Sequence, residues 1–384
     1  MIYLDYNATT PLCAPAWEAM QPYFARHFGN PSSIHRAGRE ARAAIDNARD
    51  ELAALLRVKP HELTFTSGGT ESNNLALLGL ARNLAPNGKH LISNRAEHHA
   101  VLHTLEHLEK RENFEITWLD LSRDGLIDPD ALAAAIRPDT ILVSIMTANN
   151  ETGVIQPIRE IAERCRSEGV LLHSDMVQSF GKLQTDLEGI DAASFAAHKF
   201  HGPKGAGFLY LRAGLPIDCI QFGGSHEGER RPGTENVAAI AGMAAAARFI
   251  MQKRPNESKL RDELSAGISE VYPAAQVNGA GVPRLANTLN VSFPGYSSET
   301  LLMALDLEGI CASSGSACMV GSVVASHVLL AMGMTPERAA SAIRFSLGKE
   351  TTAEEIETAI YAIALILQRQ RPRPAAPSAE HAFA

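Results

Sequence analysis

The sequence predicts an α/β protein: a large domain with a mostly parallel, mixed sheet sandwiched by helices, joined to a smaller α+β domain. Three observations carry this. Between residues 63 and 211 short apolar runs alternate with helical periodicities, the order that a sheet covered on both faces requires. From about residue 251 the texture changes to amphipathic helix broken by short, separated strands such as residues 288–293. At 384 residues the chain is longer than one core comfortably holds.

Taken in order, Ile2-Tyr3-Leu4 reads as a strand, and the polar, turn-rich segment from Asp5 to Pro11 would carry the chain across a surface or into a cleft. A helical pattern follows over residues 35–56, with Ala41, Ala44, Ile45, Ala48, Leu52 and Leu55 on one face. Residues 63–66, 91–93, 116–119, 141–145, 170–173, 192–196 and 208–211 read as strands, with helices at 72–84, 101–110 and 158–168. Thr335-Pro336 opens a helix with proline at its first position, and Thr352-Ala353-Glu354-Glu355 is a capping box. The expected division is a large domain over 12–250, a small domain made of 1–11 with 251–370, and a Pro- and Ala-rich disordered tail at 371–384.

Composition excludes several classes. A net charge of -8, with no dense Lys and Arg run, argues against nucleic acid. The longest apolar candidate, residues 237–251, is too short for a membrane span and is interrupted by Arg248. The opening residues have no basic region or signal-type apolar core, so a cytoplasmic protein is expected. Five scattered cysteines form no CxxC pair and fourteen histidines form no HExxH, so no metal is indicated.

Chemistry concentrates around Ala196-Ala197-His198-Lys199-Phe200-His201-Gly202-Pro203, where a lysine follows a buried strand and precedes a glycine-proline turn. Partial desolvation there lowers an amine's pKa and favours Schiff-base chemistry, although a surface lysine at a strand end reads the same way in isolation. Thr66-Ser67-Gly68-Gly69-Thr70-Glu71-Ser72, between strand and helix, outlines a phosphate cradle without the P-loop lysine, or simply a tight turn. His98-His99 follows a strand, where an imidazole could lie flat against a planar ring or be simply a satisfied structural residue. Asp175 sits where open α/β sheets place their ligands, a position that also suits a helix N-cap. Together these residues fit pyridoxal phosphate: Asp175 on the pyridinium nitrogen, Lys199 holding the aldehyde, the cradle on the phosphate.

Further motifs extend over nearly the whole chain. They are Leu4-Asp5-Tyr6-Asn7-Ala8-Thr9-Thr10, Asn30-Pro31-Ser32-Ser33-Ile34-His35, Asn149-Asn150-Glu151-Thr152-Gly153, Arg230-Arg231-Pro232-Gly233-Thr234-Glu235-Asn236, Ser313-Ser314-Gly315-Ser316-Ala317-Cys318 and Ile343-Arg344-Phe345-Ser346-Leu347-Gly348. In this order the sequence resembles the NifS/IscS class of cysteine desulfurases, class V aminotransferase relatives among the fold-type I pyridoxal-phosphate enzymes. The resemblance implies a homodimer that acts on L-cysteine and passes sulfur to an acceptor protein, an iron-sulfur scaffold or a sulfur carrier. It implies Lys199 as Schiff-base lysine, Asp175 on the ring nitrogen, Gln178 on the ring hydroxyl and His98 stacked on the ring. Gly69, Thr70 and His198 would hold the phosphate, joined by Thr234 from the second subunit. Asn150 and Arg344 would clamp the substrate carboxylate. Cys318 would be the nucleophile that takes the sulfur as a persulfide, with His98 as its deprotonating helper.

The sequence departs from that pattern twice. Ala196 stands where relatives usually carry a phosphate-binding serine, and residues 319–325 are more apolar than the usual continuation. The first predicts weaker cofactor retention, the second a non-standard acceptor. Two other readings stay open: a selenocysteine lyase or other class V enzyme, and a non-catalytic scaffolding relative.

Overall fold

The structure is a computed structural model describing residues 1–252, 257–314 and 325–370. Its strands are β1 (Ile2–Tyr3), β2 (Leu63–Thr66), β3 (His90–Asn94), β4 (Glu115–Leu119), β5 (Thr140–Ser144), β6 (Leu171–Asp175), β7 (Ala192–Ala196), β8 (Gly207–Leu211), β9 (Gln276–Val277), β10 (Thr288–Ser292), β11 (Ile310–Cys311) and β12 (Ala342–Ser346). The seven-stranded central sheet has the order β2-β8-β7-β6-β5-β3-β4. Only β8 runs against its neighbours, pairing antiparallel with β2 and β7. The C-terminal ends of β2, β3, β5, β6 and β7 therefore share one edge, where ligands of open α/β sheets collect.

Period-two alternation builds the two faces of this sheet. Ile92, Val143, Ala193 and Phe208 enter a core with the helices Arg36–Leu56, Ile158–Ser167 and Val237–Gln252. Their neighbours Leu91, Leu142, Ala192 and Leu209 face the other way, against the helices Gly69–Leu84 and His99–Glu112. The run Val237–Gln252 is thus a core helix, and no helix among the described residues is long and apolar enough to cross a membrane. Phe195 and Phe208 are cross-strand partners whose rings stack at 4.3 Å, worth about 0.5–1.5 kcal/mol beyond area burial. That contact fixes β7 one turn before Lys199.

A separate core gathers Leu289, Val291, Ile343 and Phe345 from the β12-β10-β9 sheet with Leu264, Ile268, Ile356 and Ile363 from flanking helices. Leu4 lies in it too, because β1 pairs with β11. The first residues then pass from the small sheet, where Tyr6 N donates to Ser346 O at 3.1 Å, to the end of the large one, where Thr10 N donates to His198 O at 2.9 Å. The segment Asp5 to Pro11 does enter a cleft, and Asn7 is only 1% exposed.

Local signals in the sequence translate directly. Thr352 and Glu355 exchange both capping-box bonds at the start of Ala353–Arg369, and Thr335 caps Pro336–Ala340. The helix expected from residue 72 begins three residues earlier, at Gly69, because Gly68 serves as its N-cap and Gly69 opens the first turn. Asp175 closes β6 rather than following it. The tail at 371–384 lies outside the described residues, as does Cys318 with the apolar stretch at 319–324 that follows it.

Candidate active site

Five strand ends deliver the site. β7 runs into a 3-10 turn, Ala197–Lys199, which turns Lys199 back toward the first residues of the chain. Its Nζ donates to the carbonyls of Asn7 at 2.6 Å and Ala8 at 2.8 Å. Backbone oxygens hold the amine without neutralising it, unlike a carboxylate. His198 is tied to the same segment: its carbonyl accepts from Thr10 N and Oγ1, each at 2.9 Å, and its Nδ1 meets Thr9 Oγ1 at 3.1 Å. Burial first, then the charges of Lys199 and Lys204, push its imidazole down to about 4. At neutral pH it is an uncharged hydrogen-bonding group.

At the end of β6 the Asp175 carboxylate is oriented by two donors, Asn73 Nδ2 at 2.7 Å and Val177 N at 2.9 Å. Asn73 lies on Gly69–Leu84, so the cradle helix itself aims this carboxylate. Gln178 donates through Nε2 to the Asn7 carbonyl at 2.9 Å. The same oxygen therefore takes both Gln178 and Lys199.

The N-terminus of Gly69–Leu84 opens on this edge with no side-chain cap. Its first N–H groups have no acceptor inside the helix, and together with the dipole they suit an anion. A Cβ on Gly69 would come within 2.7 Å of Val177 Cγ2 and 3.6 Å of the Ala196 Cβ. Glycine thus lets the helix start lie against Val177, just past the end of β6, and Ala196 borders the cradle at ordinary contact distance. Thr70 is exposed beside it.

His98 leaves β3 as the N-cap of His99–Glu112, its Nδ1 accepting from Ala100 N at 3.1 Å. Burial, reinforced by Lys199 and by His327 and His103, lowers its pKa. The neutral ring accepting at Nδ1 carries its proton on Nε2. In this arrangement His98 is a flat donor, and taking a proton at Nδ1 requires giving up the cap.

Arg344 on β12 is 2% exposed. It pairs with Asp5 at 2.7 Å and donates to the Asn150 carbonyl at 3.0 Å, while its Nε has no hydrogen-bond partner among the described residues. An incompletely satisfied buried guanidinium is a ready carboxylate site. Arg344 and Asn150 are thus brought together, through the Asn150 backbone. Thr234 is elsewhere: exposed, it lines a cavity of about 980 Å³ with Arg42, Arg49, His226 and Glu235.

Sequence reasoning missed several members. Asn7 is the hub: besides its carbonyl, its Nδ2 donates to Asn150 O at 3.2 Å and Thr288 Oγ1 at 2.9 Å. Lys182 Nζ donates to Asn7 Oδ1 and Gln178 Oε1, each at 2.7 Å, and burial pushes its pKa down to about 7. Glu97 is fully buried; its Oε1 accepts from Met146 N at 2.7 Å and Asn94 Nδ2 at 2.9 Å, and burial pushes its carboxyl up to about 8. Asn7 carried a signal, a polar residue in a turn-rich run of an otherwise apolar terminus. Lys182 and Glu97 carried none, since burial is a tertiary property.

Comparison with known proteins agrees with this geometry. The Aminotransferase class-V family profile matches residues 2–358. The cysteine desulfurase IscS of Dictyoglomus turgidum is 45% identical over 380 residues, covering 96% of this chain and 95% of the relative. A solved NifS-like protein superposes with a TM-score of 0.89 at 36% identity, covering 96% of this chain and 99% of the other. SspA, solved in complex with cysteine, superposes with a TM-score of 0.82 at 34% identity, covering 92% and 100%. The chain belongs to the class V aminotransferase family, among its NifS- and IscS-type cysteine desulfurases.

Proposed function

We propose that the protein is a pyridoxal-phosphate-dependent cysteine desulfurase that converts L-cysteine to L-alanine and holds the sulfur as a persulfide on Cys318 for an acceptor protein. The observation that carries this reading is Lys199, fixed by two carbonyls at a strand end on the same sheet edge as Asp175 and the uncapped start of Gly69–Leu84.

The side chains suit the cofactor. Asp175 would accept from the ring nitrogen, held for that by Asn73 and Val177. Gln178 would donate to the ring hydroxyl and His98 would lie against the ring. Gly69, Thr70 and His198, joined by Thr234 from a second copy of the chain, would hold the phosphate. When bound, pyridoxal phosphate supplies an electron sink for charge developed at the substrate's α-carbon.

The chain's own residues do the rest. Arg344 and Asn150 orient the substrate carboxylate, and Lys199 Nζ receives and returns the α-proton. Cys318 thiolate attacks the substrate sulfur: its S–S bond forms as the Cβ–S bond breaks, and the electron pair left on carbon is protonated to give alanine. L-Cysteine plus thiol becomes L-alanine plus persulfide, with no outside oxidant or reductant. Both flanks of the stretch that contains Cys318 are attached to the site, which supports this role. Ser313 N donates to Arg344 O at 3.2 Å, and Ser326 Oγ donates to Glu151 Oε2 at 2.5 Å. The division into 12–250 and 1–11 with 251–370 belongs to the same proposal, supported by Leu4 in the second core.

The test is purified protein given pyridoxal phosphate, L-cysteine and a thiol reductant that releases the persulfide's outer sulfur, with alanine and sulfide measured together. Equal amounts of both are expected, lost in Lys199→Ala along with the yellow colour, and lost in Cys318→Ala with the persulfide label. Alanine formation no faster than with cofactor alone would overturn the reading.

A further inference from the structure

Lys182 has no part in the chemistry above, yet it lies directly beneath two of the side chains that build the site. Its Nζ donates to Gln178 Oε1 and Asn7 Oδ1, each at 2.7 Å. The oxygen and nitrogen ends of a carboxamide are nearly identical in size, so packing alone leaves its two orientations close in energy. A lysine ammonium has donors and no acceptor. Both amides must therefore turn their oxygens to Lys182, and even the neutral amine keeps two N–H groups for them. The charges that act on Lys182 come from Lys199, Glu257 and Arg344.

The consequence reaches the lysine. With its oxygen fixed, Gln178 turns Nε2 to the Asn7 carbonyl at 2.9 Å, the oxygen that also accepts from Lys199 Nζ at 2.6 Å. Asn7 Oδ1 takes a second bond from Asn287 Nδ2 at 3.1 Å, which leaves its own Nδ2 for Asn150 O and Thr288 Oγ1. One donor-only group thus decides which way two neighbouring amides point.

We propose that Lys182 is a positioning residue: by holding the oxygens of Gln178 and Asn7 it keeps the Gln178 amide N–H groups turned into the site, one for Asn7 and one for the ring oxygen of bound pyridoxal phosphate. This rests on the cofactor assignment made above and adds to it the residue that orients one of its ligands.

The experiment is a double-mutant cycle on the full chain, with Lys182→Met, Gln178→Leu and the double variant, titrated with pyridoxal phosphate in the absence of cysteine. The dissociation constant and the pH midpoint of the bound chromophore's absorption change are read for each. Lys182→Met should weaken cofactor binding roughly fivefold to tenfold and displace the midpoint. In the Gln178→Leu background both effects should shrink to less than about twofold, because the amide assigned to the cofactor's ring oxygen is gone and only that of Asn7, held also by Asn287, remains. Equal effects in both backgrounds would mean a packing role and would overturn the inference, as would wild-type values in Lys182→Met. If Lys182→Met does not fold, Lys182→Gln replaces it with the same expectation, since glutamine can present either end. A wild-type protein that takes up no pyridoxal phosphate overturns the cofactor assignment and this inference together. Uptake by wild type with an unaffected Lys182 variant overturns the inference alone.

Discussion

Lys199 and Asn7 are 192 residues apart in sequence and joined by a hydrogen bond of 2.6 Å from Nζ to the Asn7 carbonyl. The amine is thereby positioned by the N-terminal segment, and that segment is anchored at its other end in the second core through β1 and Leu4. Two parts of the fold must be assembled before the lysine has its place.

Asn7→Ala should therefore damage the site and the fold together. It removes one acceptor from each of Lys182 and Asn287 and one donor from each of Asn150 and Thr288, leaving four buried or half-buried groups one hydrogen bond short. Stability should fall by about 2 kcal/mol or more. Urea unfolding with an unchanged slope checks this; a loss under about 0.5 kcal/mol would contradict the hub role.

His98 caps a helix, and the role proposed for its ring can be separated from that cap by substitution. Asparagine keeps a cap for His99–Glu112 and removes the ring, while alanine removes both. His98→Asn should melt near wild type yet lose desulfurase turnover. His98→Ala should lose the turnover and also about 1 kcal/mol of stability. Equal melting temperatures for the two variants would show that the cap bond contributes nothing.

Ala196 borders the cradle, its Cβ 3.6 Å from where a side chain on Gly69 would begin. A hydroxyl at 196 would add one donor to the phosphate, and a hydrogen bond to a charged group is worth roughly 1.5–3 kcal/mol before water compensates. Ala196→Ser should slow release of pyridoxal phosphate on the order of tenfold. An unchanged release rate, followed by loss of absorbance after dilution, would remove the idea.

Glu97 predicts a pH dependence whose sign is fixed. Burial, with the nearby charge of Asp175 adding to it, raises its folded pKa from 4.5 to about 8. A group raised on folding contributes stability that is complete below its unfolded value and lost as pH climbs to the folded one. Between about 4.5 and about 8 wild type should thus lose stability that Glu97→Gln does not, the gap moving toward the variant by up to roughly 1.4 kcal/mol per pH unit. Urea midpoints of both proteins across this range test it, and a gap independent of pH would mean that Glu97 is ionised in the fold.

Much of the architecture was legible because it is written in local chemistry. Short apolar runs alternating with helical patterns placed the seven members of the central sheet, and the caps at Thr335 and Thr352 placed helix starts. Lys199, Asp175, His98 and Gly69 could be read as candidates because each lies at or just past a strand end, and strand ends on one edge converge whatever the intervening sequence. Strand limits shifted by a residue or two, as at Asp175, since an end is set by the ladder of the neighbouring strand.

By itself the sequence determined the order of elements, the faces they bury and the residue types able to hold an amine, a ring and an anion. Only the tertiary structure decided that Asn7 would bind Lys199, that Lys182 would sit under Gln178, that Arg344 would meet both Asp5 and Asn150, and that Glu97 would lose its water. The physical reason is range. Periodicity and capping act over a few residues and leave a trace in the chain, whereas hydrogen bonds between distant segments and the desolvation that shifts a pKa arise only when those segments are packed together.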